Sequence, residues 1–294
     1  MTAAYLFLML PLLAGLPEYE TISTPYYDFF FTHDDREAVA VLAEASAAIT
    51  ESVMSDLGVT LTRKISVYIP DRGGFQNAQP GKTILPDSVI GVAYHKLSRM
   101  ILKSPRTLSR TPINLRKTFI HELTHILLGQ AFIRNEHVPR WLNEGVAMYE
   151  SREWSVDRVV TMTQAVLTDS LLPLTDLTHA FPHDKKNLEL AYCQSFYLIS
   201  FLVSEYGTEQ FHDFIRSYSK EKVLEDVLLN IYGINLYELE RRWHRTLKMR
   251  FSWIPLITSS ITLWFIITVI FIVSYLRKKR NVQVTLKNWE EELE

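Results

Sequence analysis

His121-Glu122-Leu123-Thr124-His125 is the stretch that decides how the rest of the chain reads. Residues four apart on an α-helix share a face, one turn above the other, so both imidazoles can reach one ion at the ~2.0–2.1 Å of a Zn–N bond. Glu122 points roughly 100° round the helix from His121, a direction suited to a carboxylate that serves the metal's water rather than the metal. H-E-x-x-H on a helix is the pattern of zinc hydrolases, with the glutamate as general base. The flanks read as a buried helix: Thr111 as cap, Pro112 as first helical residue, Leu115, Phe119, Leu123, Ile126 and Leu127 at helical spacing, and Gly129 near the end. Two imidazoles inside such a helix need partners for their polar atoms. A metal supplies one; ordinary hydrogen bonds are the other solution.

A second helix follows at Val138–Glu150, with Pro139 in its first turn. Glu144 stands in it among Trp141, Leu142, Val146, Ala147 and Met148. A carboxylate in such company is costly unless paired or metal-bound. Gly145 beside it allows another backbone to approach closely. Enough chain separates His125 from Glu144 for the first helix to end and the second to return alongside. Two His and one Glu leave a fourth position open, the arrangement of a catalytic rather than a structural zinc. The competing partner for Glu144 is Arg140, four residues back on the same face. Asn143 and Thr124 suit supporting or packing roles better than ligation.

His121, Glu122, His125 and the Trp141-Leu-Asn-Glu-Gly145 segment resemble the gluzincin zinc metallopeptidases, in particular the peptidase MA-like branch related distantly to thermolysin. Ala191–Gly207 is similar to that branch's helix ending in Tyr-Gly, and Asp226–Trp243 to its closing helical pair, so the likeness covers about residues 60 to 250. The resemblance implies hydrolysis of peptide bonds by a metal-activated water, with Zn2+ held by His121, His125 and Glu144 and with Glu122 as base. It also implies that the strand just before the motif helix, here Arg99–Lys103, is a sheet edge that holds extended substrate; a covered edge is the alternative. Tyr192 starts the segment that resembles the family's Tyr-bearing helix, which makes it the candidate oxyanion donor. Core packing of Tyr192 is the alternative, and His179, His183 and His212 are its rivals.

The chain of 294 residues, 47% hydrophobic, has room for one substantial domain plus membrane segments. A net charge of −2 gives no sign of a nucleic-acid partner. Cys193, the only cysteine, excludes an intramolecular disulfide. Residues 1–16 read as a signal peptide or N-terminal apolar anchor. Residues 253–276, uncharged and rich in Ile, Phe, Val and Thr, read as a transmembrane helix. A short tail, 277–294, opens with Arg277-Lys-Lys-Arg280. The basic flanks nearly tie, with Arg241, Arg242, Arg245, Lys248 and Arg250 on the other side. The apolar N-terminus breaks the tie: residues 21–250 outside the cytoplasm, the tail within.

Between these ends a helix is expected over Asp34–Leu57, closed at Gly58, then a half-buried strand at Ile65–Ile69 and a long loop over Asp71–Pro86. Strands follow at Val89–His95 and Arg99–Lys103, and residues from Pro112 to Arg250 are helical by pattern, interrupted at Pro173 and Pro182. The expected architecture is therefore α+β: a small mixed sheet, then a mainly helical zincin-type domain, plus one C-terminal transmembrane helix. Its expected partners are a peptide or protein substrate near the membrane surface and, through the C-terminal helix, membrane lipid. A tethered binding module that keeps the fold without turnover, or a zinc hydrolase of non-peptide substrates, are the other classes; an intact Glu122 favours an enzyme.

Overall fold

The computed structural model describes residues 19–71, 73–80, 84–107, 112–132, 138–220, 223–252 and 260–291. The apolar segment expected at 1–16 lies outside them. Two compact units divide the chain, one running to Ser155 and including Leu172–Glu240, the other formed by Val156–Leu171 and the residues from Arg241 onward.

The first unit begins with β1 (Glu20–Ser23) and β2 (Tyr27–Phe31), an antiparallel pair. Tyr27, Phe29 and Phe31 alternate inward on β2 and are fully buried or nearly so, as a strand with one face on a core requires. α1 (Arg36–Leu57) crosses to β3 (Ile65–Ile69), which pairs parallel with β2. Gly58 ends α1 in the left-handed region at φ 64°, its N–H returning to the last carbonyls, which only glycine does without strain. β4 (Gly91–Tyr94) and β5 (Arg99–Leu102) are antiparallel to each other, and β5 pairs parallel with β3.

The strand order is β1-β2-β3-β5-β4. This corrects one expectation: Arg99–Leu102 is interior, and the edge beside it is Gly91–Tyr94. The chain overshoots the edge and doubles back, inserting the later strand next to β3. The described part of the loop that precedes β4 is tied down. Gln76 bonds both the N–H and the C=O of Leu85, and Gln79 links the Phe75 carbonyl to the Tyr94 hydroxyl.

Helices follow. α2 (Leu115–Ala131) lays Phe119 against Tyr27 and Phe29 of the sheet, with ring centroids 5.1 and 6.1 Å apart. Its cap is Asn114, whose side chain accepts from the Lys117 N–H, so Pro112 precedes the helix rather than opening it. α3 (Arg140–Glu150), α5 (Leu174–His179), α6 (Lys185–Tyr206), α7 (Thr208–Tyr218) and α8 (Leu224–Tyr232) complete this unit with the start of α9 (Leu236–Phe251). The second unit holds α4 (Val156–Leu167), the rest of α9, and α10 (Ser260–Glu291).

Among the described residues, His33–Leu57 is the helical stretch long and apolar enough to cross a membrane, with a mean hydropathy of 1.3. Its Val39, Leu42, Ile49, Val53 and Leu57 are buried, as the inward face of a core helix is. The span expected at 253–276 begins outside the described residues, and its described part does not meet the same test. What is seen there is α10, uninterrupted helix through Leu276 to Glu291, with Trp264, Phe265 and Phe271 about two-thirds exposed.

Candidate metal centre

α2 and α3 lie side by side and bring three donors together. His121 Nε2 is 4.0 Å and His125 Nε2 3.8 Å from the same oxygen, Glu144 Oε2. All three ligand atoms lie within 4.8 Å of one another. Two bonds of ~2 Å span at most ~4 Å, so a zinc ion fits this group with little adjustment. The expected competitor is present as well: Arg140 Nη2 stands 3.8 Å from Glu144 Oε1. The two oxygens of Glu144 thus face different ways, one to the imidazoles and one to the cation.

The outer nitrogens of the imidazoles have partners of their own. His125 Nδ1 lies 3.2 Å from Asn143 Oδ1. With the proton on Nδ1 the lone pair of Nε2 is left toward Glu144, the tautomer a metal ligand needs. His121 Nδ1 lies 2.8 Å from Glu153 Oε1, a close charge contact whose N–H direction falls short of a well-aligned bond. Ser151 Oγ donates to the same Glu153 oxygen at 3.1 Å. Asn143 thus stands behind the His125 ring as a hydrogen-bond partner, away from the three donors that converge. Thr124 is fully buried and donates to the Ile120 carbonyl, which is packing.

Electrostatics follow from burial and from three carboxylates close together. Burial pushes Glu122 up to about 7; His121 pulls it down, while Glu144 and Glu153 push it further up. Burial pulls His125 down to about 4, with the charge of His121 adding to this and Glu144, Asn143 and Glu153 opposing it. His125 is thus a neutral imidazole at physiological pH, the form that metal ligation would need. For His121 burial acts downward, but contact with Glu153 and the charges of Glu122, Glu153 and Glu144 outweigh it, so its net shift is upward. A cation held among these groups offsets the mutual repulsion of the carboxylates.

Glu122 is 6% exposed and sits against the edge strand. A Cβ placed on Gly91 would come within 2.6 Å of Glu122 Oε1 and 2.8 Å of the Thr118 methyl, so only glycine lets β4 pass this close. The carboxylate and the sheet edge that could hold an extended chain are neighbours. Gly145 has the role expected of it. A Cβ there would meet the Ser195 carbonyl oxygen at 2.5 Å, so α3 and α6 cross at backbone contact.

Tyr192 lies in the second turn of α6, half-buried, its ring edge-on to Phe181 at 5.2 Å. Burial pushes its phenol up, the charge of Glu144 adds to this, and the charge of Arg140 opposes it. His212 bonds the Asp56 carbonyl at 2.9 Å and packs on Gly58; His179 and His183 are exposed. Glu153 and Gly91 carried no signal in the spacing of the motif. Glu153 reaches His121 because Arg152 turns the chain at φ 50°, a conformation no local pattern announces.

The model of the Peptidase MA superfamily matches residues 44–249, while no curated protein matches the sequence. Among solved structures, the M1 zinc metallopeptidase of Deinococcus radiodurans is 17% identical at a TM-score of 0.48, over 78% of this chain and 52% of that one. Native yeast LTA4 hydrolase is 14% identical at a TM-score of 0.47, over 76% of this chain. The chain spans 52% and 38% of the lengths of these two proteins. The family match takes in the histidine pair, Glu122, Glu144 and Tyr192 and extends over well more than half of the chain, which belongs to the Peptidase MA superfamily.

Proposed function

We propose that the chain is a membrane-anchored, zinc-dependent peptidase. The observation that carries this is the convergence of His121, His125 and Glu144 on one point beside a buried Glu122 that abuts a sheet edge. Zinc, when bound, supplies a Lewis acid that polarises the scissile carbonyl and acidifies water. His121, His125 and Glu144 would hold it, with Asn143 beside Nδ1 of His125 and Glu153 beside Nδ1 of His121 to orient the rings. The free N–H and C=O groups of Gly91–Tyr94 align an extended peptide as an added strand. Glu122 Oε1 takes a proton from the attacking water and returns it to the departing amine. A carboxylate whose pKa is pushed toward neutrality can do both. The Tyr192 hydroxyl donates to the developing oxyanion.

The full chain supplied with zinc is expected to cleave members of an unbiased peptide library, and Tyr192→Phe to lower kcat by roughly 10²–10³ with KM little changed. No cleavage of any member would sink the peptidase proposal; an unchanged kcat in the variant would remove Tyr192 from it.

The anchor is α10. Its apolar side chains between Leu263 and Leu276 have no protein to pack on among the described residues, and Arg277-Lys-Lys-Arg280 closes the run as a cytoplasmic flank does. The domain then faces outward and acts on chains near the bilayer, where tethering raises the effective concentration of its neighbours. A reporter active only in the cytoplasm, fused after Glu294, should be on, and protease added outside should digest the domain and spare the tail. The reverse pattern of protection would overturn this topology without touching the metal centre.

A further inference from the structure

Arg140 opens α3 one turn before Glu144 and so lies on the face that looks toward the imidazoles. Its guanidinium is held rather than free, with Cζ 5.1 Å above the Phe181 ring. Phe181 is itself braced edge-on by Tyr192. Nη2 stops 3.8 Å short of Glu144 Oε1, outside hydrogen-bond distance, where an unconstrained Arg–carboxylate pair closes to ~2.7–2.9 Å. A guanidinium carries five N–H donors in a rigid fork. Among the described residues, the polar groups its charge acts on are Glu144 and the Tyr192 hydroxyl. The side chain is 46% exposed, so the remaining donors face solvent beside the metal centre.

We propose that Arg140 is a substrate-recognition residue whose guanidinium takes a carboxylate of the bound chain close to the scissile bond. This rests on the peptidase reading of the same site. A cation kept off its nearest carboxylate by an aromatic shelf has its fork available to a second one, and carboxylates bind such forks through two parallel bonds. Arg140 and Glu144 are one helical turn apart, about 5.4 Å of rise, and an extended chain advances ~3.3–3.6 Å per residue. The carboxylate recognised is therefore one or two residues from the bond cut. Two sources offer that group: the free C-terminus of the substrate, or an Asp or Glu side chain.

The test reads affinity on the full-length Glu122→Gln chain supplied with zinc, so that turnover does not intrude. The probes are one acetylated apolar pentapeptide as free acid, the same peptide as C-terminal amide, and a set of amides with Glu placed once at each position. The free acid or one of the Glu peptides should bind roughly 10–100-fold tighter than the plain amide, the range for a hydrogen-bonded charge. Adding Arg140→Gln should erase the difference, and Arg140→Lys should restore part of it, keeping the charge without the fork. Preference for the acid identifies a C-terminus, and preference for one Glu peptide a side chain. Equal binding of all probes, binding of none, or a difference that survives Arg140→Gln overturns the proposal. So does an equal loss for every probe, which would make Arg140 a support for Tyr192 and Glu144 only. Cleavage of the plain amide by the wild-type chain is read separately. If it is cut while the binding test fails, the peptidase reading stands and the recognition role falls.

Discussion

Glu122→Gln is expected to lower kcat/KM by roughly 10²–10⁴ while leaving the fold and the metal ligands in place, the contribution of a positioned general base. The amide has the volume of the carboxylate and fits the same slot between α2 and Gly91, so neither the helix nor the edge strand has to move. What it lacks is the ability to accept a proton. Stability should change little or rise slightly, because a neutral amide removes a buried charge that Glu144 and Glu153 oppose. Steady-state kinetics on a peptide that the wild type cleaves, alongside thermal unfolding of both proteins, checks both halves. A variant that keeps wild-type turnover would show that the proton is carried elsewhere.

Gly145→Ala has a sign that two magnitudes decide. Alanine within a helix gains ~0.5–1 kcal/mol over glycine in backbone propensity. Against this, its Cβ would stand 2.5 Å from the Ser195 carbonyl oxygen and 2.9 Å from Ile199, and backbone cannot step aside as a flexible side chain does. Forcing an atom into a packed contact costs typically ~1–3 kcal/mol, so the net effect is a loss of stability. The unfolding midpoint should fall by a few degrees, since ~1 kcal/mol corresponds to roughly 2–4 °C in a domain of this size. The functional effect should be larger than the stability effect. Pushing α3 away from α6 moves Glu144 with it, and zinc affinity should drop. Gly73→Ala is the control, because nothing lies within 4 Å of its Cβ position. An unfolding midpoint and zinc affinity for Gly145→Ala equal to those of the control would mean that the close crossing does not hold the centre.

Local periodicity carries information about local geometry, and the parts of the centre that depend on it were legible. His121 and His125 share a helical face by spacing alone, and Glu144 was conspicuous as a charge among Trp141, Leu142 and Val146, all fully buried. Gly58 ended α1 where its freedom at positive φ is needed. The edge strand was misplaced because strand order is a long-range property. Nothing within Arg99–Leu102 says that Met100 pairs with Val67 on one side and Ala93 on the other. Glu153 was invisible for a related reason, since its approach to His121 depends on the turn at Arg152. Arg140 was read as the competing partner of Glu144, and it does stand 3.8 Å from that carboxylate, on the oxygen that does not face the imidazoles.

The most direct test of the metal centre is zinc content, measured on the full chain after loading and dialysis, for wild type, His121→Ala, His125→Ala, Glu144→Ala and Glu122→Gln. Three protein ligands leave no spare, so each ligand variant should come through without zinc, while wild type and Glu122→Gln hold about one ion per chain. Zinc retained by Glu144→Ala and lost from Glu122→Gln would contradict the account, with the two glutamates exchanging their roles.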